Sequence, residues 1–415
     1  MTSLKFFGTF ADISRFSTMK VYIICREAFP NGMAGTNRIK CYAKALQTGG
    51  IDCTVINYTR TEAKGSTRNP EREGVWEGIP FFYVGEDNIK PPHKIPRLWR
   101  KYKDQFLLKR FMRKNLMPGD IVIGYANSDT DFLCGVIDIV HSRGAFYVRE
   151  LGEIPFFGGK RRKEVKGLEH ILKELFPKCD AFLSISDPLT DLAREHMKPE
   201  ARILKLPILV DYDAFLLPDR SDEAPVPYIF HSGTLYEQKD GVLGMLEAFG
   251  KALPRLGGNA AMVFTGNPKD TPDSAAIMDM ISRYGLEDKV TFTGFIDNST
   301  LKEYLSKAYL VVINKHPNIQ NKYCFSTKLG EYLAAGKPVV ITDVGEAMNY
   351  LTDGENAYIV RRDDVDALSE AIVKAFTNKE DRKRIGEAGR ILCKEAFDYR
   401  NISSRFLDFL RSLQA

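Results

Sequence analysis

Phe325-Ser-Thr-Lys-Leu-Gly-Glu-Tyr-Leu-Ala-Ala-Gly-Lys-Pro-Val-Val340 is the stretch from which the fold is read. Ser326 or Thr327 suits the cap of a helix, Gly336 suits its end, and Pro338 opens a strand with Val339 and Val340. Leu329, Tyr332 and Leu333 share one helical face. The start of such a helix offers unpaired N–H groups and the positive end of its dipole, so it suits a phosphate. Lys328 lies in the first turn, where a cation costs about 0.3–1 kcal/mol unless an anion is bound beside it. Glu331 follows one turn later, within reach of a ribose. The plain alternative is a core-packed helix whose charges are solvated. Spacing alone leaves both readings open.

Outward from this stretch, short apolar runs alternate with helical periods. Lys20–Cys25 reads as a buried strand, Thr36–Gln47 as a helix stopped by Gly49-Gly50, and Asp52–Tyr58 as the next strand. Further strands are predicted at Ile79–Val84, Asp120–Ala126, Ala145–Leu151, Asp180–Ser186 and Arg202–Leu206. The Asp- and Pro-rich segment 211–227 breaks the pattern as a linker. After it come strands at Tyr228–Ser232, Ala261–Thr265, Lys289–Phe295, Tyr309–Asn314 and Pro338–Asp343, again separated by helices. The expectation is α/β architecture. A tail spans 1–18, one doubly wound domain 19–210 and a second 228–397, and a final helix occupies 398–415. Two such domains facing one another enclose a cleft at the carboxyl ends of their strands.

The 415 residues are 44% hydrophobic and 27% charged, which excludes disorder and low complexity. The net charge of +5 is far from that of a dedicated nucleic-acid binder. It is unevenly placed. Met1–Leu216 has 34 basic and 26 acidic residues, whereas Leu217–Ala415 has 25 and 28. No run approaches the ~18 apolar residues of a membrane span, and 1–18 lacks the apolar core of a signal peptide. Seven scattered cysteines without a C-x-x-C pair read as reduced thiols in the cytoplasm. The six histidines lack metal-ligand spacing, so no metal is expected. Asp129-Thr-Asp131 reads as a loop or cap feature.

Ser326-x-Lys328-x-x-Glu331-Tyr-Leu-Ala-x-Gly336-Lys-Pro338-Val-Val resembles the donor-site signature of retaining family-4 glycosyltransferases of the GT-B fold. Other segments resemble that family in matching order. Ser232-Gly233-Thr234-Leu235 with Lys239 is similar to its Gly-Arg-Leu…Lys segment, and Phe292-Thr-Gly294-Phe295 to its F-x-G strand. Lys205–Asp211 with Phe215 is similar to its linker, and the loop with Gly32 and Gly35 to its N-terminal Gly-rich loop. The resemblance implies a C-terminal helix crossing back to the N-terminal domain. It implies Lys239 against the donor diphosphate, Glu331 on the ribose, and the amides of Ser326, Thr327 and Lys328 on phosphate. Gly35, Ser232, Gly233 and Thr234 would complete the donor site. The implied reaction moves a sugar, with retention, from a UDP- or GDP-sugar to a glycan or lipid-linked acceptor in cell-surface polysaccharide synthesis. The leaving diphosphate takes the acceptor proton, and no cofactor is required.

Three departures stand out. Tyr323 occupies the place of the family's first Glu, and Thr234 that of its Arg. The strand end Tyr147–Ile154 lacks the family's His, so Glu150 or Glu153 is the candidate to face the sugar. Lys328 is the cation expected to replace the missing Arg. A sugar-nucleotide epimerase and a non-catalytic nucleotide-sugar-binding module are the alternative readings.

The basic excess has a location. Lys94–Lys114 carries nine Lys/Arg against Asp104, and Ile95, Leu98, Trp99, Tyr102, Phe106 and Phe111 recur at helical spacing. Gly159–Lys163 adds a second cluster after Phe156-Phe157. The stripe either faces the core or meets an anionic membrane or acceptor, with Arg97, Trp99, Arg100, Lys101, Arg110, Arg161 and Arg162 as candidates. The second reading places the protein at the inner face of the cell membrane.

Overall fold

The computed structural model describes residues 19–65, 67–125, 129–154 and 162–415. The expected tail, Phe156-Phe157 and Arg161 fall outside these residues, as does the side chain of Arg162.

The first sheet contains β1 (Lys20–Cys25), β2 (Asp52–Asn57), β3 (Glu73–Trp76), β4 (Ile79–Tyr83), β5 (Ile121–Gly124), β6 (Phe146–Leu151), β7 (Ala181–Ser184) and β8 (Arg202–Lys205). Their spatial order is β3-β4-β2-β1-β5-β6-β7-β8. Every pairing is parallel except β3 with β4. Helices α1 (Ala34–Thr48), α2 (Lys94–Asn115), α3 (Thr130–Ser142), α4 (Arg162–His170) and α5 (Asp187–His196) connect and cover it. Residues Val21–Cys25 of β1 are all buried, as expected of a central parallel strand covered on both faces. Gly35, expected in a loop, lies in the first turn of α1.

β3 was not foreseen. Glu77 and Gly78 both have positive φ, 47° and 83°, which is the signature of a tight two-residue hairpin turn. The strand itself is short and mostly exposed, so it carries no buried alternation to find.

The second sheet has β9 (Tyr228–His231), β10 (Ala261–Phe264), β11 (Val290–Phe292), β12 (Leu310–Ile313), β13 (Val339–Thr342) and β14 (Tyr358–Val360), in the order β11-β10-β9-β12-β13-β14. It is parallel throughout. Its helices are α6 (Glu237–Asp240), α7 (Val242–Ala252), α8 (Ser274–Tyr284), α9 (Asn298–Lys307), α10 (Ile319–Tyr323), α11 (Thr327–Ala334), α12 (Val365–Thr377) and α13 (Lys379–Ala396). The strand order reverses between β9 and β12, the place where ligands bind such sheets.

The chain then returns. α14 (Tyr399–Arg411) lays Phe406, Leu407 and Leu410 into the core around α1 of the first domain, with Phe406 5.4 Å from the Tyr42 ring. The two passages between domains are tied together. Val210 N–H donates to Phe397 O at 2.9 Å, and Tyr399 N–H donates to Val210 O at 3.1 Å. Among the described residues, no helix is long and apolar enough to cross a membrane.

Candidate active site

The carboxyl ends of both sheets open on one cleft of about 1270 Å³. Gly35, Glu150, Glu153, Ser232, Gly233, Thr234, Lys239, Ser326, Thr327, Lys328 and Glu331 all line it. Residues up to 300 positions apart in sequence therefore meet there because two parallel sheets point their strand ends at one another.

The C-terminal wall is built on the β9/β12 reversal. After β9, Ser232 and Gly233 approach the start of α11, and Ser232 N–H donates to the Tyr332 hydroxyl at 2.7 Å. Lys328 Nζ donates to Asp240 Oδ1 at 2.7 Å and lies 3.3 Å from His231 Nε2. Lys315, two residues beyond β12, reaches the same carboxylate at 3.4 Å and also donates to Lys239 O at 2.5 Å. Burial pushes the Lys328 ammonium down to about 8, against the pull of Asp240. Burial and the neighbouring Lys328 push His231 down to about 3, so it is neutral at ordinary pH. Burial opposes ionisation of Asp240, but Lys328 and Lys315 outweigh it and hold the carboxyl well below its usual range. Two lysines on one carboxylate leave a net positive charge facing the cleft. Asp240 Oδ2 accepts from the Thr234 N–H and hydroxyl at 3.3 Å, so the same carboxylate fixes the loop after β9.

Glu331 sits one turn into α11. Burial raises its carboxyl to about 7, although a hydrogen bond from Asn37 Nδ2 at 3.2 Å works the other way. That bond crosses the cleft from α1, so Glu331 touches both domains.

The N-terminal wall carries three carboxylates. Glu27 follows β1, and a methyl group on Gly35 would lie 2.8 Å from its carboxyl carbon. Burial raises the Glu27 carboxyl, and Glu153 and Glu150 raise it further. Arg38 Nε donates to Glu150 Oε1 at 2.8 Å, while its other nitrogens bind Pro207 O and Leu206 O. Glu150 is thus committed to a buried clamp between α1 and the end of the first domain. Its Oε2 makes no hydrogen bond with any described residue. Glu153 is the carboxylate that crosses the cleft, with Oε1 3.6 Å from Lys239 Nζ. Burial depresses the Lys239 ammonium, but Glu153, Cys324 and Asp240 together outweigh it and the net shift is upward.

Residues 219–391, which hold this entire C-terminal wall, match the family model described as glycosyl transferases group 1. The C-terminal domain is thus similar to the group 1 glycosyltransferases. The chain is 21% identical over 245 residues to N-acetyl-alpha-D-glucosaminyl L-malate synthase of Bacillus anthracis, covering 58% of this chain and 61% of that protein. It is 26% identical over 218 residues to alpha-D-kanosaminyltransferase of Streptomyces kanamyceticus, covering 48% of this chain and 53% of that one. The fold likeness runs through nearly the whole chain. Sucrose-phosphate synthase from Thermosynechococcus elongatus superposes with a TM-score of 0.73 at 15% identity, over 95% of this chain and 99% of that one. Anabaena HepE in complex with UDP and glucose gives 0.70 at 15% identity, over 95% and 100%. The expected two-domain GT-B arrangement is the one observed.

The C-terminal domain keeps the departures read from its sequence. The backbone carbonyl of Tyr323 accepts from the Ser186 hydroxyl at 2.7 Å and its ring lies under Lys322, so it serves a domain contact. Ser326 stands at the N-cap of α11 but makes no side-chain capping bond. Asp129, read as a cap feature, is held by Lys101 at 2.7 Å and Gln105 at 2.9 Å, and Asp131 by His170 at 2.9 Å. Sequence reading missed Asp240, Lys315, His231, Glu27 and Asn37. Lys315 and Glu27 each lie two residues past a strand's carboxyl end, a position that favours cleft residues. Asp240 carries no such signal.

Proposed function

We propose that the protein moves a sugar from a nucleotide-sugar donor, with UDP as the nucleotide, to a glycan or lipid-linked acceptor, retaining the anomeric configuration. The observation that carries this reading is the cation cluster of Lys239, Lys328 and Lys315, set beside the start of α11 and one turn from Glu331. It presents a site for a diphosphate and, next to it, an acceptor for ribose hydroxyls. The names of the N-acetyl-alpha-D-glucosaminyl L-malate synthase and the alpha-D-kanosaminyltransferase, both of which name a glycosyl group, support the reaction class, and UDP in HepE supports the nucleotide.

The chemistry follows from the charges. The lysines and the first amides of α11 hold the diphosphate in place. As the sugar–phosphate bond breaks, negative charge grows on the leaving oxygen, where these groups are already oriented to stabilise it. An acceptor hydroxyl held on the same face of the sugar attacks the anomeric carbon and passes its proton to that oxygen. The carboxylates Glu27 and Glu153 face the sugar and acceptor side, and the walls supply orientation. Lysines provide the positive charge, so the reading needs no cofactor.

Tyr323, at the place of the family's Glu, is not among the residues lining the cleft, which favours one second reading, a module that binds the nucleotide-sugar without transfer. Thermal shift against UDP-, GDP-, ADP- and dTDP-sugars tests the site. A ligand at 100 times its Kd adds about 2.7 kcal/mol of stability. NMR of the product then reads the anomeric configuration. Binding of UDP-sugar without transfer to any acceptor supports the binding module. Acceptor-independent conversion of the donor would indicate an epimerase. No shift with any nucleotide sinks the proposal.

A further inference from the structure

Of the α2 stripe, Phe111 packs against the rings of Tyr22 and Phe82 in the core, whereas the other five residues do not face it. Ile95, Leu98, Trp99, Tyr102 and Phe106 are 83%, 54%, 63%, 61% and 58% exposed. Their spacing places them on one face of the helix, and the buried residues Asp104, Leu108 and Met112 are turned away from it. Five large apolar side chains in one solvent-facing row exceed the scattered exposure of an ordinary surface. Arg110 and Arg113 continue the same face toward the end of the helix, with Lys114 beside them. None of these three makes a salt bridge with any described residue.

The row has a fixed place relative to the cleft. β4 runs toward the cleft, and α2 returns antiparallel to reach the start of β5, so the first half of α2 lies at the carboxyl edge of the sheet. Two ion pairs mark that edge. Lys101 Nζ is 2.7 Å from Asp129, just beyond β5, and Arg100 is 2.5 Å from Asp87, just beyond β4. Lys103 likewise takes Glu86 at 2.5 Å. The acids of this rim are therefore neutralised and the excess along the helix is positive.

We propose that the exposed face of α2 docks on an anionic phospholipid bilayer. Ile95, Leu98 and Phe106 would enter the acyl boundary and Trp99 and Tyr102 would sit at headgroup level. Arg110, Arg113 and Lys114 would meet lipid phosphates. Aromatic residues with a polar tip suit that boundary, and repulsion between two such basic helices disfavours self-pairing. The bilayer surface would then lie along the rim of the acceptor side of the cleft. This inference needs no sugar transfer and is tested without donor or acceptor.

Co-sedimentation with vesicles of phosphatidylcholine alone, and of phosphatidylcholine with phosphatidylglycerol, is the measurement. The full chain should bind the mixed vesicles, bind the neutral ones far less, and be released at high salt. The triple variant Trp99→Ser, Tyr102→Ser, Phe106→Ser should bind about 100-fold more weakly. Arg110→Gln, Arg113→Gln, Lys114→Gln should do the same on mixed vesicles only. All six side chains are exposed or paired with nothing described, so the melting temperature should hold in both variants. The chain has two tryptophans, Trp76 and Trp99. In a Trp76→Phe background, vesicles should shift the emission of Trp99 to the blue. Absence of binding to mixed vesicles, or equal binding to neutral ones, overturns the proposal. A dimer in light scattering that the serine variant abolishes, without vesicle binding, would reassign the face to a second copy of the chain.

Discussion

A methyl group added to Gly233 would sit 2.8 Å from Asp240 Oδ2, 2.8 Å from His231 Nε2 and 2.9 Å from Lys328 Nζ. The cation cluster is packed against bare backbone, and Gly233→Ala should weaken UDP binding by about tenfold or more by displacing it. Lys239 and Lys328 differ in what they leave behind. Lys239→Ala should lose donor affinity with little change in melting temperature, because its partner Glu153 is half exposed and keeps its water. Lys328→Ala should lose a similar share of affinity and also ~3 kcal/mol of stability, because Asp240 is buried and loses its nearest cation. Calorimetry with UDP and thermal melts separate the two; equal melting temperatures would contradict the arrangement. The pH dependence is fixed by the same groups. Ribose binding needs Glu331 ionised, so affinity should rise as pH passes about 7. Diphosphate binding needs Lys328 charged, so it should fall as pH passes about 8. Glu331→Gln should remove the acid limb of this bell and Lys328→Arg the basic one. A flat profile from about pH 6 to 9 would contradict both assignments. From the sequence, Lys328 was legible because a cation in the first turn of a helix calls for an anion. Its partnership with Asp240 was not, because that depends on how α6 and α11 meet in space.

At the scale of elements, α6 is four residues long and cannot hold its own shape. His316 anchors it, with Nε2 2.8 Å from Glu237 and Nδ1 2.8 Å from Asp363. The hydrogen bond to Glu237 is the largest cause that raises this imidazole to about 9, with Asp363 adding to it against the effect of burial. A raised folded pKa means the stabilisation is complete below the ordinary 6.5 and is lost as pH climbs through about 9. His316→Gln should therefore lower stability by about 1–2 kcal/mol near pH 6, allowing for partial exposure. The deficit should vanish toward pH 10, as urea melts across that range would read. The long helices and buried strands were legible because parallel strands covered on both faces are uninterrupted apolar runs. β3 was not, since an exposed edge strand of four residues has only its Glu77-Gly78 turn to announce it. The direction of the α2 stripe was equally hidden. Periodicity reveals that a helix has an apolar face but not whether another element covers it.

At the scale of the molecule, the cleft exists because two sheets share an orientation, which the repeated strand–helix alternation already implied. The meeting of Asn37 with Glu331, 294 positions apart, was beyond any local reading. So was the tie between Val210 and Phe397–Tyr399, which makes both passages between domains a single pivot. A chain ending at Phe397 would lack Phe406, Leu407 and Leu410, all buried against α1. Each such side chain contributes about 1.5–3 kcal/mol, so the loss is comparable with the 5–15 kcal/mol that holds a typical domain together. That truncated protein should bind a hydrophobic dye and lose its cooperative melt. Retention of a sharp transition would show that α14 is dispensable. The return of α14 also sets an order in time. The layer begun at Lys20 is completed only by residues near 410, so on a ribosome the earlier of these two domains to be synthesised is the later to be sealed. The second domain has its whole sheet and its covering helices within 228–396 and can close first. Until α14 emerges, the face of α1 around Tyr42 stands open, and crowding or a chaperone would act on that interval.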